Sequence, residues 1–141
     1  MKTDDYKVIV ALYLRGEDLA PDSVTTALGI NPSRSQRKGE KRVTSTNREY
    51  VTKIGMWGLI SDADSNLIAD HITRLASLVK LDANALCGVA GVQEAYIDIF
   101  VAAIANEDGE GSCEFELSPD NLTDLERMGL PVRLTVTLGK E

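Results

Sequence analysis

The sequence predicts an α+β fold, a mainly antiparallel five-stranded sheet with helices packed on one face, in the order β-α-β-α-β-β-α-β. Three observations carry this. Five stretches, Tyr6–Leu14, Tyr50–Ile60, Glu94–Ile104, Ser112–Leu117 and Val132–Leu138, have the β-branched and aromatic content or the period of two that strands show. One stretch, Asn66–Lys80, keeps apolar residues on a helical period. A short Pro-Asp helix ending on Gly and an aliphatic residue occurs twice, from Pro21-Asp22 to Gly29-Ile30 and from Pro119-Asp120 to Gly129-Leu130. Helices laid over one face of a sheet bury the apolar sides that such a pattern generates.

Tyr6–Leu14 is apolar at both parities, as expected of an interior strand. The first Pro-Asp helix follows, with Val24, Ala27 and Leu28 facing inward. In both copies Pro sits at the helix start, where its missing N–H would be unpaired anyway, and Gly takes the left-handed position past the end. Residues 31–48 lack periodicity and are rich in Ser, Thr and cations, so a mobile cationic loop is expected there. In Tyr50–Ile60 the expected burial points are Tyr50, Ile54, Met56 and Trp57, and Gly55 and Gly58 suggest a bulge or a close backbone approach.

Ser61 to Ser65, including Asp62 and Asp64, offers caps for the long helix, whose stripe is Leu67, Ile68, His71, Ile72, Leu75, Leu78 and Val79. Leu81–Val92 fits either a second helical piece or an irregular connection. Residues 106–111 form a turn cluster containing Gly109 and Gly111, joining Glu94–Ile104 to Ser112–Leu117 as a hairpin. In that last strand Cys113, Phe115 and Leu117 face inward and Glu114 and Glu116 face water. Val132–Leu138 alternates Val132, Leu134, Val136 and Leu138 with Arg133, Thr135 and Thr137 and closes the sheet.

The 141 residues suit a single domain spanning 1–141. No apolar run approaches the roughly 20 residues of a membrane-spanning helix, and the acidic start Met1-Lys2-Thr3-Asp4-Asp5 does not resemble a signal peptide. A cytoplasmic location is expected, with Cys87 and Cys113 as free thiols. The net charge of −7 is divided: residues 31–56 carry +5 and the remainder −12. An acidic bulk disfavours nucleic acid and steers basic partners.

No catalytic constellation emerges. His71 is the single histidine and sits within the helical stripe, so packing is its expected role; with no Cys or second His at ligand spacing, neither metal nor cofactor is expected. Two charged features remain. One is the acidic set Glu107, Asp108, Glu110, Glu114 and Glu116, which could dock a basic protein. The other is the cationic set Arg34, Arg37, Lys38, Lys41 and Arg42, with Trp57 on the following strand, which could capture a phosphate-bearing ligand. Without interleaved aromatics the cationic set reads more simply as a solvated loop.

Leu28-Gly29-Ile30-Asn31-Pro32-Ser33, Lys38-Gly39-Glu40, Trp57-Gly58-Leu59-Ile60-Ser61 and Phe115-Glu116-Leu117-Ser118-Pro119 ending at Gly129-Leu130 together resemble the bacterial DUF4279 family over almost the whole chain. The resemblance implies a small stand-alone α+β protein of undefined biochemistry, some of whose relatives serve as immunity partners of secreted toxins. The cationic stretch before Tyr50 departs from the family pattern. The expectation that follows is a non-catalytic protein-binding module, such as an immunity protein neutralising a basic toxin through its acidic surface; the alternative is a sensor of a phosphate-bearing ligand.

Overall fold

The apolar run at the start of the chain becomes β1 (Tyr6–Gly16), the middle strand of a five-stranded sheet in the computed structural model, which describes residues 6–104 and 113–139. β1 is flanked by β5 (Gly55–Ile60) and β6 (Glu94–Ile104), both antiparallel to it. Outside β5 lies β2 (Arg34–Gln36), also antiparallel, and outside β6 lies β7 (Val132–Gly139), which is parallel. The sheet is therefore mixed. A separate two-stranded hairpin pairs β3 (Lys41–Val43) with β4 (Glu49–Val51).

Register determines which residues enter the core. Leu12 lies opposite Leu59 on one side and Ile97 on the other, and Leu14 lies opposite Trp57. Directly opposed residues point to the same face, so Val8, Val10, Leu12 and Leu14 share one side with Trp57, Leu59, Ile97, Ile99 and Val101. All of these are buried in one apolar cluster. The helices supply the rest of it: Val24 from α1 (Pro21–Leu28), Ile68, Ile72 and Leu75 from α2 (Ile68–Leu78), Leu86 from α3 (Ala83–Cys87) and Met128 from α4 (Pro119–Met128). Fully burying one Leu or Ile of this kind stabilises the fold by about 1.5–3 kcal/mol. Among the described residues no helix is long and apolar enough to cross a membrane.

The twin Pro-Asp helices form as expected. Gly29 and Gly129 adopt φ of 70° and 66°, and their N–H groups donate to the carbonyls of Thr25 and Leu125. Their starts differ. Ser118 caps α4 through a reciprocal pair with Asn121, whereas Ala20 offers α1 no side-chain cap. Val24 is buried, Leu28 half-buried and Ala27 exposed, so the inward face of α1 is narrower than its spacing suggests.

Several expectations need correction. Cys113–Leu117 keeps its alternation, with Cys113, Phe115 and Leu117 half-buried and Glu114 and Glu116 exposed, but it is not a strand. It is held by its inward side chains, Phe115 meeting the Tyr6 ring edge-on at 5.2 Å, and not by a ladder. The turn cluster that would have made it a hairpin lies outside the described residues. The fifth strand is instead β2, inside the stretch expected to be a loop. Tyr50–Ile60 is broken into β4 and β5, leaving Tyr50 exposed. β7 closes the sheet as its outer strand, but parallel to β6, because α4 carries the chain back over the helical side as a crossover connection does. Its apolar side chains are exposed, not buried.

At one corner three chain segments approach too closely for side chains. Gly16 lies opposite Gly55 in the register. A Cβ at Gly16 would stand 1.8 Å from the Gly91 carbonyl oxygen, and one at Gly55 would stand 2.4 Å from that of Leu19. Gly91 has φ of 87° and itself approaches the Leu19 Cα. Only glycine fits here.

Candidate functional site

An open groove of about 830 Å³ lies between the start of α2, the extended segment Glu114–Ser118 and the first half of α4. Polar contacts fix its walls. Asn121, buried in α4, donates through Nδ2 to the Ala69 carbonyl at 3.2 Å and to the Thr73 hydroxyl at 3.1 Å. The same residue completes the cap with Ser118, so one amide both starts α4 and ties it to α2. At the other end of the helix pair, Arg127 donates to the carbonyls of Ala76 and Val79, each at 3.0 Å. There its charge also complements the negative end of the α2 dipole.

Among the described residues the groove carries five carboxylates, on Asp70, Glu114, Glu116, Asp120 and Asp124, with apolar surface from Leu67, Ile68 and Phe115, and no Lys or Arg. Asp70 accepts from the Ser65 hydroxyl at 2.6 Å. For Glu114, Glu116, Asp120 and Asp124 no cation stands within ion-pair distance among the described residues. Among the described residues the charge here is thus negative and uncompensated, the condition under which charge steers and registers a basic partner.

Of the acidic residues expected to form a docking surface, Glu114 and Glu116 line this groove, while Glu107, Asp108 and Glu110 lie outside the described residues. Asp70, Asp120 and Asp124 were missed as site residues. A usable signal was present: Asp120 and Asp124 stand four apart on a helix and so share a face. Leu67, placed in the buried stripe of the long helix, is instead the residue before its first turn and is exposed at the groove.

The cationic set is organised differently. Arg37 pairs with Asp22 at 3.3 Å, Lys38 with Glu17 at 2.9 Å, and Arg42 with Glu40. Lys38 holds the Glu17 carboxyl below its ordinary value, first by hydrogen bonding and then by its charge. Glu40 is likewise held low, chiefly by the Arg37 N–H and then by Arg42. The base of the β3–β4 hairpin is tied at Thr52, which is buried: its hydroxyl accepts from the Glu40 N–H and donates to the Arg37 carbonyl. Arg34 and Lys41 stand apart from these pairs. Trp57 is wholly buried, its indole N–H donating to the Thr25 hydroxyl at 3.0 Å, so it presents no face to a ligand.

His71 is buried and bonded on both ring nitrogens. Nε2 meets the Ser65 carbonyl at 2.8 Å, which can only accept, so that nitrogen carries a proton, and Nδ1 shares a hydrogen bond with the Ser61 hydroxyl at 2.8 Å. Asp62 does not cap α2 but binds Arg74 at 2.7 Å, which lowers its pKa. Cys87 and Cys113 are free. Among the described residues no group of His, Cys, Asp or Glu is arranged to hold a metal ion.

Comparisons with curated proteins and with solved structures return no match. The family model described as a domain of unknown function, DUF4279, matches residues 4–138, and with nearly its whole length covered the chain belongs to that family.

Proposed function

We propose that the chain is a non-catalytic protein-binding module that docks a basic segment of a partner protein in the groove between α2 and α4, as an immunity protein in the cytoplasm would dock a basic toxin. The observation that carries this reading is the concentration of Asp70, Glu114, Glu116, Asp120 and Asp124 around apolar surface, with no cation lining the groove among the described residues. Interfaces combine apolar contact at their centre with charges towards the rim that set register and association rate, and this groove offers both kinds of surface. The reading as a phosphate-ligand sensor at Arg34, Arg37, Lys38, Lys41, Arg42 and Trp57 draws little support from this arrangement. Three of those cations are engaged by carboxylates of the same chain and the indole is enclosed.

The test uses two baits in parallel, the wild-type chain and the triple variant Glu116→Gln, Asp120→Asn, Asp124→Asn, in lysate of the native host at low and moderate salt. The expected result is a basic protein that the wild type retains and the variant releases at the same salt, with the interaction weakening as salt rises. A partner retained equally by both baits, or no specific partner at either salt, overturns the reading.

A further inference from the structure

β7 is an edge strand of eight residues, and among the described residues nothing pairs with its outer side. Its orientation follows from one hydrogen bond. The Ile97 N–H donates to the Pro131 carbonyl while Ile97 stands opposite Val132. In a parallel ladder each residue of one strand bonds the two neighbours of its opposite residue. Arg133, Thr135 and Thr137 therefore direct their backbone groups at β6, and Val132, Leu134, Val136 and Leu138 direct theirs outward. The side chains of these same four residues lie on the helical side of the sheet, opposite Ile97, Ile99, Val101 and Ala103, yet they are strongly exposed, Leu134 at 62%.

Natural edge strands are ordinarily shielded by Lys, Pro, bulges or short length. β7 has no Lys or Pro within it, and its register against β6 runs without a bulge from Val132 to Gly139. Its single charge, Arg133, lies on the opposite face, over the Tyr96 ring at 3.8 Å and paired with Glu94. The edge is thus neutral on a chain of net charge −7, which makes it a place where two like-charged copies can approach.

We propose that β7 is the seam of a symmetric dimer, in which the outer edges of two copies pair antiparallel about a twofold axis normal to the sheet that runs between their facing Thr135 residues. The strand is complementary to itself in that register. Val132 meets Leu138 of the second copy and Leu134 meets Val136, all on the helical side, and each such pair exchanges two hydrogen bonds through the outward-facing groups. Arg133 meets Thr137, so no like charges are opposed. The two sheets become one continuous sheet, and a closed isologous contact of this kind consumes the edge instead of propagating it.

The test is the mass of the full-length chain across the micromolar range, by sedimentation or light scattering. Wild type is expected as a dimer. Val136→Pro removes one outward donor while sparing the β6 ladder, and Leu134→Lys sets two like charges close together across the seam. Both are expected to be monomers with an unchanged circular dichroism spectrum. A register probe guards against misfolded variants: in a background with Cys87→Ala and Cys113→Ala, Thr135→Cys faces its own copy across the axis at a non-hydrogen-bonded pair, where the spacing of about 4.5 Å admits a disulfide. It should cross-link two chains on oxidation, and Thr137→Cys should not. A wild-type chain that is monomeric throughout, a dimer that survives both Val136→Pro and Leu134→Lys, or equal cross-linking at Thr135→Cys and Thr137→Cys overturns the proposal; a β7 edge filled by a strand of another protein appears as the first of these.

Discussion

The cationic stretch around β2–β4 and the acidic groove between α2 and α4 are both dense in charge, and they treat it in opposite ways. Around β2–β4, Arg37, Lys38 and Arg42 have carboxylate partners in the same chain, and the backbone is tied at Thr52. At the groove, Glu114, Glu116, Asp120 and Asp124 line open space with no cation at ion-pair distance among the described residues. A paired charge is committed to its own fold, whereas an unpaired one is available to something else. Charge density in a sequence does not separate these cases; the pairing does.

The sharpest way to break this contrast is at Trp57. If the cationic side is structural, Trp57→Ala removes a wholly buried side chain and destabilises by about 3–5 kcal/mol, read from the denaturant midpoint. A near-neutral result would return the indole to the role of ligand platform. Next in size, Thr52→Val strips the buried hydroxyl that joins Glu40 to Arg37 and should cost about 1–3 kcal/mol in the same measurement. The groove should behave inversely. The triple variant Glu116→Gln, Asp120→Asn, Asp124→Asn should weaken a basic partner by at least about tenfold in a binding titration, yet shift stability by no more than about 0.5 kcal/mol per site.

The smallest effect is acidic. The carboxyls of Glu17, Glu40 and Asp62 lie below their ordinary values in the folded chain, so they bind protons more readily when unfolded. Their contribution is complete above the unfolded values and disappears as pH falls through the lowered folded ones. Glu17 and Asp62 are exposed and Glu40 is only partly covered, so the expected slope in thermal midpoint is shallow, and Arg74→Gln should flatten the part due to Asp62.

How much of this was legible depends on what each sequence signal measures. Long regular elements were plain: β1, β6 and α2 advertise themselves by burial over many residues, and the glycines ending α1 and α4 mark real left-handed caps. Alternation was misleading at Cys113–Leu117 and incomplete at β7. A period of two reports that successive side chains see different surroundings, not that the backbone has a hydrogen-bonded neighbour. Nor does it require that the apolar side be covered, as Leu134 shows. β2 and β3 were invisible because strands of three residues, with Val43 the one apolar side chain in either, are too short to show a period. At the site, Glu114 and Glu116 were found because they lie on the wet side of an extended segment. Asp70 was not, since its closeness to α4 is made by the packing of two helices far apart in sequence.

The crowded corner at Gly16, Gly55 and Gly91 bears on how relatives of this chain should be compared. Since no side chain can be accommodated where these backbones meet, selection on folding alone is enough to keep glycine there, in members that bind different partners or none. Glycine retained at that corner in a relative would record steric necessity. The carboxylates of the groove, which no packing demand holds in place, are the positions whose drift from one relative to another would trace a change of recognised target.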